Sequence, residues 1–507
     1  MGRIYNWRCA IIAGSGSILY GYDAAVIAST YALCTQSTSA LAQEGFLTQF
    51  TPSANVLGAV GSVYFAGVIL GLGFVSMLAD RFGRKRTIQI GGVIGLIGAI
   101  FQACSYKIEL FFVGRVIAGM ASGIMLTTVN IYQAEIAPPH LRGTMVAFQI
   151  VILDVAGTLA SWVGYGCNFS GNASFSWLVL RFPIALQCVP AVGLIIGCFF
   201  IPFSPRWLIS KDRQLEAQEV LKRLHDDHSD PVFWEKEYLQ ISAQLAVEKV
   251  EKETSKWNHM FTNRSELRRV AVAIASLTSV QTNGAQTIQI YQAVLYAGLG
   301  FSTRMVLLMS GVFGICNTAG GVVNLLLIDR IGRRKLFLHG LFFLSVWLAI
   351  FAACSAKYND TLSTSWGKAG IACVMLYIFV FGATFTASPY AYAAEVLPTK
   401  IRAKGMATAL FFSNSVTLTF SQTAPIALAH IKWKFDLVFI ACNVFFFPIV
   451  YFFFPETKGL TLEEVNHAFG EKVEVEINEF DNAQAERKLE MAQVEDVTKP
   501  DNAAAVV

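Results

Sequence analysis

The sequence predicts an all-α membrane protein of twelve transmembrane helices in two related six-helix halves. Three observations carry this: an apolar composition, a series of long apolar runs, and a basic motif that occurs twice. Of the 507 residues, 54 % are hydrophobic and 15 % charged, whereas a soluble domain carries about 25 % charged residues. Mean hydropathy is +0.50. The formal charge of +4 says little by itself, because its distribution matters more.

The apolar runs fall near 10–29, 53–78, 88–104, 108–133, 143–166 and 180–201, and then near 268–298, 303–328, 336–354, 368–395, 404–429 and 435–454. Each approaches the ~20 residues that cross ~30 Å of hydrocarbon. The longer ones are expected to tilt, break or end outside lipid. Glycine is frequent within them, as where helices pack closely in a bilayer. The strands of a β-barrel are too short to explain such runs. No signal peptide is evident, so the first span is expected to be an uncleaved internal signal.

The repeat divides the chain. Ser76–Arg86 reads SMLADRFGRKR and Leu325–Lys335 reads LLLIDRIGRRK. A second pair follows in the same order: YQAEIAPPHLRG at Tyr132–Gly143 and YAAEVLPTKIRAKG at Tyr392–Gly405. The first pair sits between spans two and three and between spans eight and nine. Positive loops stay cytoplasmic, which predicts both termini inside a multi-pass membrane protein. Three sequons, at Asn168, Asn172 and Asn359, then fall outside as candidate glycosylation sites. Cys34 and Cys167 also face outside and are a candidate pair.

The predicted units are residues 1–201, a cytoplasmic linker with short helices over 202–267, residues 268–454, and a cytoplasmic tail over 455–507 that is largely disordered after 470. Within the linker, Lys211–Leu224 reads as an amphipathic helix with Leu215, Val220, Leu221 and Leu224 on one side. Trp234–Glu253 is mixed in charge and also helix-prone. The cysteines form no disulfide or metal pattern. Without CxxC, HExxH or P-loop, no metal, cofactor or nucleic acid is expected, and no nucleophile–base set suggests an enzyme.

Further motifs accompany the repeat: GYD at Gly21–Asp23, GR at Gly114–Arg115, SPRWL at Ser204–Leu208 and PETKG at Pro455–Gly459. Together and in this order they resemble the sugar porter family of the major facilitator superfamily, over roughly residues 10–465. The resemblance implies the major facilitator fold, with two six-helix bundles around a solute site near the bilayer midplane and alternating access about it. It implies a small polar solute (a sugar, polyol or sugar acid) as partner, a fungal-type plasma membrane as location, and a monomer as the working unit.

The resemblance assigns Asp80, Arg84, Glu135, Arg142, Asp329, Arg333, Glu395 and Arg402 to a cytoplasmic ion-pair latch that holds the bundles when the protein faces outward. The family often has glycine four residues before each aspartate. Ser76 and Leu325 stand there instead, so helix approach at those points is expected to be looser.

Ionisable groups within spans are costly and usually functional. Asp23 in span one and Arg115 in span four match the acid and arginine of some proton-coupled sugar porters. Desolvation and a neighbouring arginine act oppositely on such an acid. This favours proton symport over uniport, the alternative being a static pair. Asp154 in span five, where the family usually has a small residue, is a further candidate: a solute contact, a proton acceptor or a water-facing group.

The resemblance also implies a solute site at Gln149, Gln281, Gln286, Asn317, Tyr390 and Asn414. Amides of this kind bond hydroxyls as donor and acceptor. Four positions depart from the hexose pattern: Val280 replaces a glutamine, Gln286 replaces an asparagine, Tyr390 stands where tryptophan is common, and Ser415 replaces a second tryptophan. An ordinary hexose is thereby put in doubt, since sites read hydroxyls by their polar pairings. The alternative for each amide is helix–helix bonding. Gly382, Ser388 and Pro389 predict a break in span ten, and Tyr291 and Phe385 are candidate gate aromatics. Four functions follow: a proton-coupled importer, a facilitative uniporter, an exporter of a small metabolite, and a non-transporting nutrient sensor.

Overall fold

The computed structural model describes residues 2–36, 54–137, 142–167, 176–225, 263–398 and 401–458, with isolated positions between them. The spans, in chain order, begin with Gly2–Gln36, Ala54–Phe82, Arg84–Ala103, Ile108–Ile136 and Arg142–Cys167. Span six is two pieces, Ser176–Ala185 and Cys188–Gly197, with Pro183 inside the first. Span seven is Arg264–Thr282 and Ala285–Gly298. Spans eight and nine are Thr303–Ile331 and Arg333–Thr361. Span ten is Thr364–Phe385 and Ser388–Val396; spans eleven and twelve are Arg402–His430 and Asp436–Phe453.

By length and composition, 10 helices among the described residues can cross a membrane. Spans seven and eleven fall outside that set for a physical reason. Both carry many Ser, Thr, Asn and Gln side chains, which lower their hydropathy.

The breaks are built locally. In span seven Gly284 takes φ +97°, a conformation that costs glycine little. Asn283 Oδ1 accepts from the Ala285 N–H at 2.9 Å, and Tyr377 donates to the freed Asn283 carbonyl at 2.8 Å. In span ten Pro389 stands in the first turn of the second piece and cannot supply the N–H that would continue the first. Asn324 of span eight donates to the exposed Ala383 carbonyl at 2.8 Å and to Ser388 Oγ at 3.0 Å. The expected interruption of span ten is therefore present and its orphan groups are bonded from the neighbouring span.

Glycines bring backbones together within each half. A Cβ on Gly119 or Gly123 of span four would run into the Tyr64 or Val68 carbonyl of span two. Gly320 of span eight and Gly382 of span ten meet in the same way in the second half. Ser76 is exposed and Leu325 half-buried.

The linker begins with Pro205–Ser210 and Gln214–His225. The amphipathic helix is present, but its buried stripe differs from the expectation. Ala217, Leu221 and Leu224 are buried, whereas Leu215 is 84 % exposed. At ~100° per residue, positions 217, 221 and 224 share a face and 215 falls off it. Asn6 Nδ2 donates to the Leu224 carbonyl at 3.0 Å, fixing this helix to the start of span one. Residues 234–245 are described only in part, as helix, and the remainder of Trp234–Glu253 and the tail after 470 lie outside the described residues.

The two halves meet chiefly through span two against span eleven, span five against span eight, and span one against span seven. The tight contacts cluster at the end opposite the basic loops. Ser62 donates to Gln422 Oε1 at 2.6 Å, and Gln422 Nε2 donates to the Asn55 carbonyl at 3.3 Å. A Cβ on Gly58 would meet the Gln422 backbone, and one on Gly311 would lie 2.9 Å from the Trp162 ring. The arrangement is thus sealed at the end away from the DRxGR loops.

Candidate functional site

Three polar assemblies occupy the positions singled out by sequence. Deepest in the first half, Arg115 Nη1 lies 3.0 Å from Asp23 Oδ1, with both residues 2 % exposed. Arg115 also donates to the Val60 carbonyl at 3.2 Å, and its guanidinium lies 4.3 Å from the centre of the Tyr64 ring. Gln102 reaches Asp23 Oδ1 at 3.5 Å, whereas Asp23 Oδ2 is buried without a hydrogen-bond partner. Such a pair survives only because arginine, carbonyl and ring replace the water that both charges have lost.

This pair faces the other half. Ala24, Gly61, Tyr64, Phe65 and Arg115 line a small cavity together with Gln286 and Ile290 of span seven. Tyr291, next along span seven, donates to the Ser421 carbonyl at 2.7 Å, and a Cβ on Gly61 would lie 3.2 Å from the Tyr291 hydroxyl. Tyr291 also departs from helical geometry, at φ −106° and ψ 15°. Among the gate aromatics, Tyr291 is therefore at the seam. Phe385 is not: it is fully buried against Phe337 and Gly340 in the core of the second half.

The second assembly bridges the halves at mid-span. Asn317 Nδ2 of span eight donates to Asp154 Oδ1 of span five at 3.0 Å. The Thr158 and Thr318 hydroxyls, one turn along, are 3.0 Å apart. Tyr390, in the second piece of span ten, is half-buried. Gln149 is buried, and the side-chain carbonyls of Gln149 and Gln281 have no partner among the described residues. Asn414 is buried and gives one N–H of its amide to the Leu410 carbonyl of its own helix at 2.8 Å.

The third assembly is doubled. In the first half Arg84 pairs with Glu135 at 3.1 Å, Ser204 donates to Glu135 Oε2 at 2.5 Å, and Tyr132 donates to the Pro202 carbonyl at 2.9 Å. In the second half Arg333 pairs with Glu395 at 3.0 Å, Thr457 donates to Glu395 Oε2 at 2.6 Å, and Tyr392 donates to the Pro455 carbonyl at 3.0 Å. SPRWL and PETKG thus play the same structural part in the two halves. Glu456 adds caps, accepting from the Arg333, Thr457 and Lys458 N–H groups. Each of these pairs lies within its own half. Asp80 lies 3.8 Å from Arg84 and points to solvent, and Arg402 donates to the Leu397 carbonyl at 3.1 Å. The Cys34, Arg142 and Asp329 side chains are not described, and Asn168 and Asn172 lie outside the described residues. Asn359 is exposed near the end of span nine, opposite the basic loops.

Sequence reasoning passed over Tyr20 and Tyr64, whose rings stack at 6.4 Å beside the buried pair. Their signal was a tyrosine in an apolar run, whose hydroxyl needs a partner; Tyr64 finds one in Ser122 at 2.8 Å. It also passed over Asp436, buried at the start of span twelve. An acid at a helix start reads as a cap, which hid it.

Comparison with known proteins agrees with this geometry. The profile of the family described as "Sugar (and other) transporter" matches residues 9–469. The MFS-type transporter criB of Aspergillus cristatus is 30 % identical over 469 residues, covering 92 % of this chain and 94 % of that protein. The sugar transporter STL1 of Saccharomyces cerevisiae is 29 % identical over 508 residues, covering 98 % and 86 %. The structure of the proton:xylose symporter XylE, from E. coli, bound to 6-bromo-6-deoxy-D-glucose superimposes with a TM-score of 0.77 at 23 % identity, covering 92 % of this chain and 100 % of that one. The helices, the paired motifs and these matches together make the chain a member of the sugar transporter family of the major facilitator superfamily, a membrane transporter and not an enzyme.

Proposed function

We propose that this transporter imports a sugar-like polar solute together with a proton, by alternating access across the plasma membrane, with both termini in the cytoplasm. The observation that carries this reading is the buried Asp23–Arg115 pair. A charged pair held out of water is costly unless its geometry is used. Asp23 Oδ2, which has no hydrogen-bond partner, is the atom that takes the proton. Protonation removes the charge that holds Arg115 to Asp23, while the Val60 carbonyl and the Tyr64 ring keep the guanidinium in place. The relaxed site then reaches Gln286 across the seam.

With the DRxGR loops inside, the seal at the opposite end makes this arrangement inward-facing. The glutamate clusters, closed on their own halves here, exchange partners across the halves when the protein faces outward. Gln149, Gln281, Gln286, Asn317, Tyr390 and Asn414 supply the solute's polar partners.

The test is uptake by the purified chain in liposomes, screening labelled sugars and polyols with and without an inward proton gradient. The reading expects one of these solutes to accumulate above equilibrium only with the gradient. Equilibration that ignores the gradient would instead mark a uniporter.

A further inference from the structure

Asp154 is the acid that the proton-coupling pair does not use, and its surroundings restrict what can bind beside it. Its bond to Asn317 orients that amide. Asn317 Nδ2 gives one N–H to Asp154 Oδ1, and its carbonyl Oδ1 has no partner although the residue is only 8 % exposed. Asp154 Oδ2 likewise has none. Gly321 lies against them. A Cβ there would lie 3.1 Å from Asp154 Oδ2 and 3.8 Å from Thr386 Cγ2, and Thr386 Oγ1 is a third atom without a partner. The Thr158–Thr318 hydroxyl contact lies one helical turn from this bond.

Two unpartnered oxygens, one of them on the Asp154 carboxyl, thus stand beside the Thr386 hydroxyl, a donor and acceptor. The cation of the central region, Arg115, is engaged by Asp23. We propose that Asp154 and Asn317 form a solute subsite that takes hydroxyl or ammonium donors and rejects carboxylates, with Asp154 as the specificity-determining residue. This rests on the reading that solute binds between the halves, and it narrows the solute class. Neutral polyhydroxylated or amino-bearing solutes enter, and sugar acids are excluded. Buried polar groups enforce such choices, because a wrong partner leaves them unpaired and like charges placed together repel.

The experiment compares solutes of one shape and different charge: glucose, glucosamine and glucuronate, with glucitol and gluconate as an open-chain pair. Binding to the purified full-length chain in detergent is read by ligand-induced thermal stabilisation, for the wild type, Asp154→Asn and Asp154→Glu. In the wild type a neutral or amino member binds at least about tenfold more tightly than its carboxylate counterpart. Asp154→Asn narrows that ratio towards unity, and Asp154→Glu keeps it. The proposal is overturned if carboxylates bind the wild type as well as their neutral partners, or if the ratio survives unchanged in a folded Asp154→Asn. It is also overturned if none of the five binds. The wild-type ratio alone decides if a variant does not fold. No gradient enters this measurement, so a transporter that proves to be a uniporter loses the symport reading while leaving the binding ratio intact.

Discussion

Arg115 Nη1 sits 3.0 Å from Asp23 Oδ1 with neither residue more than 2 % exposed, so the pair is held entirely by protein groups. Spans one and four meet at a charge that nothing else in the first half requires.

Asp23→Asn keeps the shape of this contact and removes its titratable charge. Solute accumulation in liposomes with an inward proton gradient should collapse to simple equilibration, while exchange of labelled for unlabelled solute continues. In the wild type, accumulation should fall as the outside pH is raised to that inside, because the driving gradient disappears. Accumulation that persists in Asp23→Asn would remove Asp23 from coupling.

Arg115→Ala leaves the carboxylate buried without its partner. Breaking a buried pair from one side costs about 3–5 kcal/mol, so this variant should unfold at a clearly lower temperature in detergent than Asp23→Asn. Equal melting of the two would mean that the pair is solvated in solution.

Gly58 and Gln422 face each other backbone to backbone across the sealed end. A double variant, Ser62→Cys with Gln422→Cys, at the two side chains bonded across this seam, should cross-link with a short bifunctional thiol reagent cleavable by reductant. Uptake should then drop by about an order of magnitude and return with reductant, as expected where alternating access rocks the halves about the site. Full uptake by the cross-linked protein would show that this seam does not open during transport.

The Arg84–Glu135 and Arg333–Glu395 pairs are equivalent in geometry and differ in setting, the Glu395 side chain being 31 % exposed against 9 % for Glu135. Double-mutant cycles to alanine should give a coupling within about 0.5–3 kcal/mol for the first and a smaller one for the second, because exposure and salt screen it. The order reverses if Thr457 and Glu456 reinforce the second cluster more than burial does the first.

Asn359 and Asp80 lie at opposite ends of the bundle. A membrane-impermeant thiol reagent applied to intact cells should label Asn359→Cys and spare Asp80→Cys. The opposite pattern would invert the proposed orientation.

Much of this was legible in the chain. Apolar runs spell out the spans because lipid tolerates only a backbone that satisfies itself. The repeated motifs identify the halves, and Pro389 identifies the break in span ten. Asp23 and Arg115 stand out because a charge in hydrocarbon needs a reason.

Other features depended on neighbours that sequence does not name. Leu215 seemed part of the apolar stripe until the docking of Gln214–His225 on span one selected another face. Phe385 seemed a gate until Gly340 made room for it in the second half's core. Asp154 and Asn317 were read separately, one without a role and one as a solute contact, although they bond each other.

By itself, then, the sequence determined the apolar spans, the family and the buried acid–arginine pair, since these follow from hydrophobicity, charge and local motif. Which end is sealed, that SPRWL and PETKG complete equivalent clusters, and that Asp154 meets Asn317 were decided only by tertiary structure. The residues concerned lie far apart in the chain, and their side chains acquire partners only when the two halves close on each other.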